Sequence, residues 1–266
     1  PPPPPSGGGA GGGAGSPPPG WTLSWSDEFD GADGSGVDSS KWSFDTGGGG
    51  WGNNELEYYT SGTSNAVIQG GSLVITATRD GAANHSCWYG PCQYTSARLN
   101  TAGKFAQQYG RFEARIKIPE GQGVWPAFWL LGDNIGSVGW PACGEIDIME
   151  NIGRTPDSNY GTTHGPGPGN YPGAGLSGAA NTGAALGNDF HVYAMEWDSG
   201  SVKFFLDGSP YWSVTPSQLP AGASWVWDRP FFVILNFAVG GNWPGSPDGT
   251  SAFPQQMLVD YVRVYK

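Results

Sequence analysis

Apolar residues in this chain recur at every second position, and they do so in segment after segment. In GRFEARIKIP, Phe112, Ala114, Ile116 and Ile118 fall on one side; Arg111, Glu113, Arg115 and Lys117 fall on the other. A period of two belongs to a strand with one covered face. FHVYAMEWDSGSVKFFLDG holds two such runs around Asp198-Ser199-Gly200, which predicts a hairpin. SLVITATRD, PFFVILNFAVGG and QMLVDYVRVYK also read as strands, and Gly70-Gly71, Asp207-Gly208 and Gly240-Gly241 supply turns. No stretch keeps a helical period over three turns, and short helical turns are expected only near 181–187. Many short two-faced strands predict an all-β fold built as a sandwich of two antiparallel sheets. The charged side of residues 111–117 is expected to face solvent.

Residues 1–20 are Pro, Gly, Ala and Ser only. They have no apolar side chains whose burial could offset the entropy of ordering, so they read as a disordered linker. They show no secretory signal pattern. Residues 21–266 contain no second break of this kind and fit one large β domain. No apolar run approaches the ~20 residues that a membrane-spanning helix requires. With 12 Lys and Arg against 23 Asp and Glu, the chain lacks the basic patch a nucleic acid or anionic membrane surface would need. A neutral partner fits best. The 13 Trp, 11 Tyr and 12 Phe suit either an aromatic core or a surface on which sugar rings stack. Cys87 and Cys92 in NHSCWYGPCQY are spaced to close a loop as a disulfide, which implies an oxidising compartment and a secreted protein. Cys143 is left over and reads as a small buried thiol.

The segment GEIDIMEN is the departure from this pattern. Glu145 and Asp147 share one face of a strand, and Ile146 and Ile148 share the other. A regular strand would bury Glu150 with the isoleucines, at high cost to its charge. One extra residue, a β-bulge at about Ile148 or Met149, returns Glu150 to the face of the other two acids. Upstream, Trp125 and Trp129 in GVWPAFWLLG share a face, and Trp140 follows. Three carboxylates beside indoles describe a sugar cleft with acid/base groups.

GEIDIMEN resembles the signature of glycoside hydrolase family 16, in the bulged form typical of its laminarinase-type endo-β-1,3-glucanases. WSDEFDG, WGNNELEYYT, GVWPAFWLLG, YGTTHGP, GGNWPG and VDYVRVY extend the resemblance over nearly all of 21–266. It implies a β-jelly roll whose concave face forms a β-glucan cleft, and a retaining mechanism that needs no catalytic cofactor. Glu145 would be the nucleophile, Glu150 the general acid/base, and Asp147 the group that orients the nucleophile. Trp129 and Trp140 would stack on sugars and Trp243 would line the far part of the cleft, with Trp125 either there or in the core. Asn53 and Arg98 would hydrogen-bond sugar hydroxyls. His164 would reach the acid/base side, and His85 and His191 would be structural. The resemblance also implies a structural calcium on the convex side, held by the backbone carbonyls of Glu28 and Gly71 and the carboxylate of Asp260. A monomer is expected, with a carbohydrate-binding module joined through the linker. Two enzyme alternatives are a mixed-linkage β-1,3-1,4-glucanase and a transglycosylase, whose motifs are usually one residue shorter. A non-catalytic glucan-binding module would have lost the carboxylates.

Overall fold

The structure is a computed structural model that describes residues 17–167 and 175–266. Most of the Pro/Gly-rich segment, residues 1–16, lies outside the described residues. One sheet holds the strands Ser209–Val214, Val202–Leu206, His191–Trp197, Gly110–Lys117, Gln255–Tyr265, Ser72–Ala77 and Ala66–Gln69 in that spatial order, with Leu23–Asp27 also paired to Gln255–Tyr265. The other runs Leu176–Asn181, Ser158–His164, Glu145–Glu150, Val124–Gly132, Phe231–Val239, Arg98–Asn100 and Ser43–Asp45. Neighbours within both sheets are antiparallel. The result is a jelly-roll sandwich, and the hairpins fall where Asp198–Gly200, Gly70-Gly71 and Asp207-Gly208 predict them.

The core follows from the alternation. Phe112, Ala114 and Ile116 of the first sheet meet Phe128, Leu130, Ile146 and Ile148 of the second in a single buried cluster. Those side chains sit on one face of each strand, so the opposite face of the second sheet is left for the cleft. Among the described residues, helix is confined to short pieces, Ile135–Val138 and single 3₁₀ turns such as Leu186–Asn188.

The charged side of 111–117 departs from expectation. Arg111 and Glu113 are buried. Arg111 Nε donates to Glu113 at 2.9 Å and its Nη1 to Glu196 at 3.0 Å, while the Tyr265 hydroxyl donates to the other Glu113 oxygen at 3.1 Å. A covered charge is tolerable when it is paired and fully hydrogen-bonded. Glu196 and Tyr265 are far away in sequence, so the local pattern carries no trace of that cover.

Candidate active site

The strand Glu145–Glu150 contains the irregularity its charges demand. Along one edge Phe128 pairs with Met149 and Trp129 with Asp147, leaving Ile148 without an opposite number. Along the other edge Asp147 faces Thr162 and Glu150 faces Tyr160, so Gly161 alone stands opposite Ile148 and Met149. Both extra side chains join the core, and Glu150 turns back to the face of Glu145 and Asp147. A bulge frees a backbone carbonyl that needs a partner. Here the buried Asn159 side chain donates to the Ile148 carbonyl at 3.3 Å. Gly161 is required by closeness: a Cβ there would lie 2.5 Å from the Tyr211 hydroxyl and 2.9 Å from Phe204.

The exposed face of this sheet lines a cleft of about 830 Å³. Alternate residues from adjacent strands enter it: Trp125, Ala127 and Trp129; Glu145, Asp147 and Glu150; Tyr160, Thr162 and His164. Each outer acid is tied to an indole. Trp140 Nε1 donates to Glu145 Oε2 at 2.8 Å, and Trp125 Nε1 donates to Glu150 Oε1 at 2.9 Å. The buried Trp227 holds the Glu145 backbone carbonyl at 2.9 Å. Trp125 therefore belongs to the cleft, where the Trp243 ring meets it edge-on at 5.5 Å and also packs on Tyr160 at 5.1 Å.

Burial raises all three acids. Burial, reinforced by the charge of Asp147, lifts the Glu145 carboxyl to about 8. Burial lifts Asp147 to about 8 as well, and its carboxyl lies within hydrogen-bonding reach of Glu145. Glu150 is raised well above the carboxylate range, first by burial and then by Asp147. The Glu145 side chain keeps 16% of its surface in water and Asp147 only 4%, so Asp147 is the better holder of the proton the two share. A carboxylate accepting from a neutral acid on one side, and a protonated acid across the same face, can attack and protonate opposite ends of one bond.

His164 stands directly across from Glu145 in the sheet, with Nε2 3.2 Å from Asp147 Oδ2 and 3.8 Å from Glu145 Oε1. This places it on the Glu145 side of the cleft and corrects the expectation that it reaches the side of Glu150. Its position is set by strand register, which YGTTHGP alone does not reveal. Asn53 and Arg98 line the cleft. The Arg98 guanidinium lies between the Trp51 and Trp129 rings, 4.9 and 4.8 Å from their centroids, and its Nε is bound to Asp45 at 2.9 Å. Trp51, Tyr160 and Asn236 are cleft residues that pattern reading passed over. Asn236 left a signal, as the only polar residue of FFVILNFAV. Cys87 and Cys92 are disulfide-bonded, and Cys143 is buried, with burial pushing its thiol up to about 11, away from nucleophile duty.

Glu28, Gly71 and Asp260 lie away from the cleft on the first sheet. One edge of Gln255–Tyr265 pairs with Ser72–Ala77 as far as Val259 and with Leu23–Asp27 from Val262 onward. Asp260 falls in that handover and is also the extra residue of a bulge against Gly110–Lys117. Its Oδ2 accepts from Arg115 at 2.9 Å, and the Glu28 carboxylate is taken by two Arg263 bonds of 3.0 and 2.7 Å. Carbonyl and carboxylate oxygens are the ligand types a hard cation such as calcium takes, and one Asp260 oxygen is already committed to Arg115.

A family model described as glycosyl hydrolases family 16 matches residues 53–263. The β-glucanase of Rhodothermus marinus is 45% identical over 255 residues, covering 92% of this chain and 85% of that protein. Glucan endo-1,3-beta-glucosidase A1 of Niallia circulans is 40% identical over 263 residues, covering 93% of this chain but 38% of that larger protein. The catalytic domain of an endo-1,3-beta-glucanase (laminarinase) from Thermotoga petrophila superposes with a TM-score of 0.84 at 48% identity, over 92% of this chain and 98% of its own. Shared sequence over this span, on the same two-sheet frame, leaves one conclusion: the chain belongs to glycosyl hydrolases family 16.

Proposed function

We propose that this protein is a retaining endo-β-1,3-glucanase that cuts laminarin-like glucans. The observation that carries the reading is the bulge, because it puts Glu145 and Glu150 on one cleft face with Asp147 between them. Glu150, protonated, gives its proton to the glycosidic oxygen as Glu145 attacks the anomeric carbon. Water then displaces the sugar from Glu145 as Glu150 takes a proton back, and the configuration is retained. Asp147 shares its proton with Glu145, which steadies the nucleophile's charge before attack. Trp129 and Trp140 offer flat apolar faces to pyranose rings, Trp125 and Trp243 continue that wall beside Glu150, and Asn53 and Arg98 supply polar contacts. His164 supports the Glu145–Asp147 pair. Laminarin, barley mixed-linkage glucan and carboxymethyl cellulose should be digested side by side. Rapid release of long oligosaccharides from laminarin, with carboxymethyl cellulose untouched, is expected. Faster cleavage of the barley glucan would move the assignment to the mixed-linkage alternative.

The same reading places one structural calcium at Glu28, Gly71 and Asp260, with waters completing the six to eight oxygens calcium takes. It would join the two strands that share one edge of Gln255–Tyr265 and take no part in the reaction. Chelation should then lower the melting temperature by several degrees, and re-addition of calcium should restore it; an unchanged melting curve would remove the ion from the account. A cleft complete within one chain supports action as a monomer, and the Cys87–Cys92 disulfide supports secretion. The Pro/Gly-rich segment suits a tether to a carbohydrate-binding module.

A further inference from the structure

Behind the wall of the cleft, which Glu55 lines, lies a second pair of buried acids that hydrolysis does not use. In WGNNELEYYT, Glu55 is 4% exposed and Glu57 is wholly buried. Both Glu55 oxygens are engaged: Asn53 Nδ2 donates to one and the Tyr59 hydroxyl to the other, each at 3.1 Å. Glu57 Oε2 accepts from the Val239 amide at 2.7 Å, and Glu57 Oε1 is buried with no partner among the described residues. The two carboxyls lie within hydrogen-bonding reach of each other. Two ionised carboxylates do not share a dry site, so one proton lies between them. Burial and then the charge of Glu55 raise Glu57 well above the usual range. Burial raises Glu55 as well, but the hydrogen bonds from Glu57, Asn53 and Tyr59 and the nearby Arg98 hold that rise below the one at Glu57. The proton therefore belongs on Glu57, and its orphaned oxygen becomes the donor to Glu55.

We propose that the Glu57 acid and the Glu55 carboxylate anchor a one-way hydrogen-bond chain that positions Asn53 and Trp129 for the sugar. An ionised Glu55 only accepts, so Tyr59 must donate to it. The Tyr59 oxygen is then the acceptor for Asn236 Nδ2 at 3.1 Å. Asn236 Oδ1 is left to accept from Trp129 Nε1 at 2.7 Å. Each role dictates the next, and the chain ends on an indole that lines the cleft. On the other branch, Asn53 spends an N–H on Glu55, which fixes its amide so that Oδ1 is the acceptor left for a donating hydroxyl. Glu55 and Glu57 are thus positioning residues that act through Asn53 and Trp129. A neutral acid at 57 is the condition for the whole arrangement.

The inference rests on the glucanase reading, and the wild-type enzyme on laminarin tests that reading separately. Glu57→Gln keeps an acceptor for Val239 and a donor for Glu55, without a titrating proton. Glu57→Met keeps the bulk and removes both. Steady-state kinetics on laminarin should show KM within about twofold of wild type for Glu57→Gln. For Glu57→Met, KM should rise about tenfold or more with kcat within about threefold, because the acids at 145 and 150 are untouched. The wild-type KM should climb at alkaline pH as Glu57 loses its proton among Glu55, Tyr59, Tyr89 and Arg98, and Glu57→Gln should flatten that climb. If Glu57→Met fails to fold, the pH comparison between wild type and Glu57→Gln decides alone. An unchanged KM in a folded Glu57→Met, or the same alkaline rise in Glu57→Gln, would overturn the proposal.

Discussion

Glutamine in place of either Glu145 or Glu150 is expected to reduce laminarin turnover on the order of 10³-fold or more, with the far-ultraviolet circular dichroism unchanged. Glutamine keeps the side-chain volume and still accepts from Trp140 or Trp125, so the strand and its bulge have no reason to move. What disappears is chemistry. An amide at 145 is a poor nucleophile and a poor leaving group, and an amide at 150 has no acidic proton for the departing oxygen. The two losses differ in kind. Glu150→Gln should retain some activity on substrates with good leaving groups, such as aryl glycosides, whereas Glu145→Gln should not. A folded variant at either position with near-native turnover on laminarin would remove that residue from the reaction.

The same two substitutions should stabilise the fold at neutral and alkaline pH. Glu150 and the Glu145–Asp147 pair hold their protons more tightly in the folded chain than unfolded, because burial and the crowding of negative charge disfavour full ionisation. A carboxyl raised in this way contributes its full stability below its unfolded pKa of about 4.3 and loses it as pH climbs toward the folded value. For the Glu145–Asp147 pair, which keeps one proton that Gln at 145 removes the need for, that value is about 8, so the wild-type melting temperature should fall across the interval up to that pH. Glutamine does not titrate. Calorimetry should therefore show Glu145→Gln and Glu150→Gln melting a few degrees above wild type at pH 8, with the gap closing near pH 4. Melting curves that stay parallel at every pH would show that the cleft acids carry no such burden. The expected pattern is the cost of a catalytic site: three acids are kept close together in a partly dry groove because the reaction needs them there.

Strand alternation made the sandwich legible, since a two-residue period leaves a face that only a second layer can cover. The bulge was legible for a sharper reason. Glu150 sits one position out of phase with Glu145 and Asp147, and no regular strand accommodates that without burying a charge. The features that stayed hidden depend on which strands become neighbours. Arg111 and Glu113 look solvated in sequence and are covered because Glu196 and Tyr265 arrive from other strands. His164 takes its side of the cleft from its register with Glu145. Asn159 caps the bulge from the adjacent strand, and nothing in SNYGTTH distinguishes it from any other strand asparagine. Period and charge report the local face; the partner across that face is fixed only by the folded topology.

In the proposed reaction an extra strand residue brings Glu145 and Glu150 together as the nucleophile and acid/base, with retention of configuration. Proton NMR of the anomeric region during the first minutes of laminarin digestion tests it most directly, before mutarotation mixes the signals. The β-anomer of the new reducing ends should appear first and the α-anomer only later, as the products equilibrate. An α-anomer that appears first would mean single displacement by water, and the roles given to the two glutamates would be wrong.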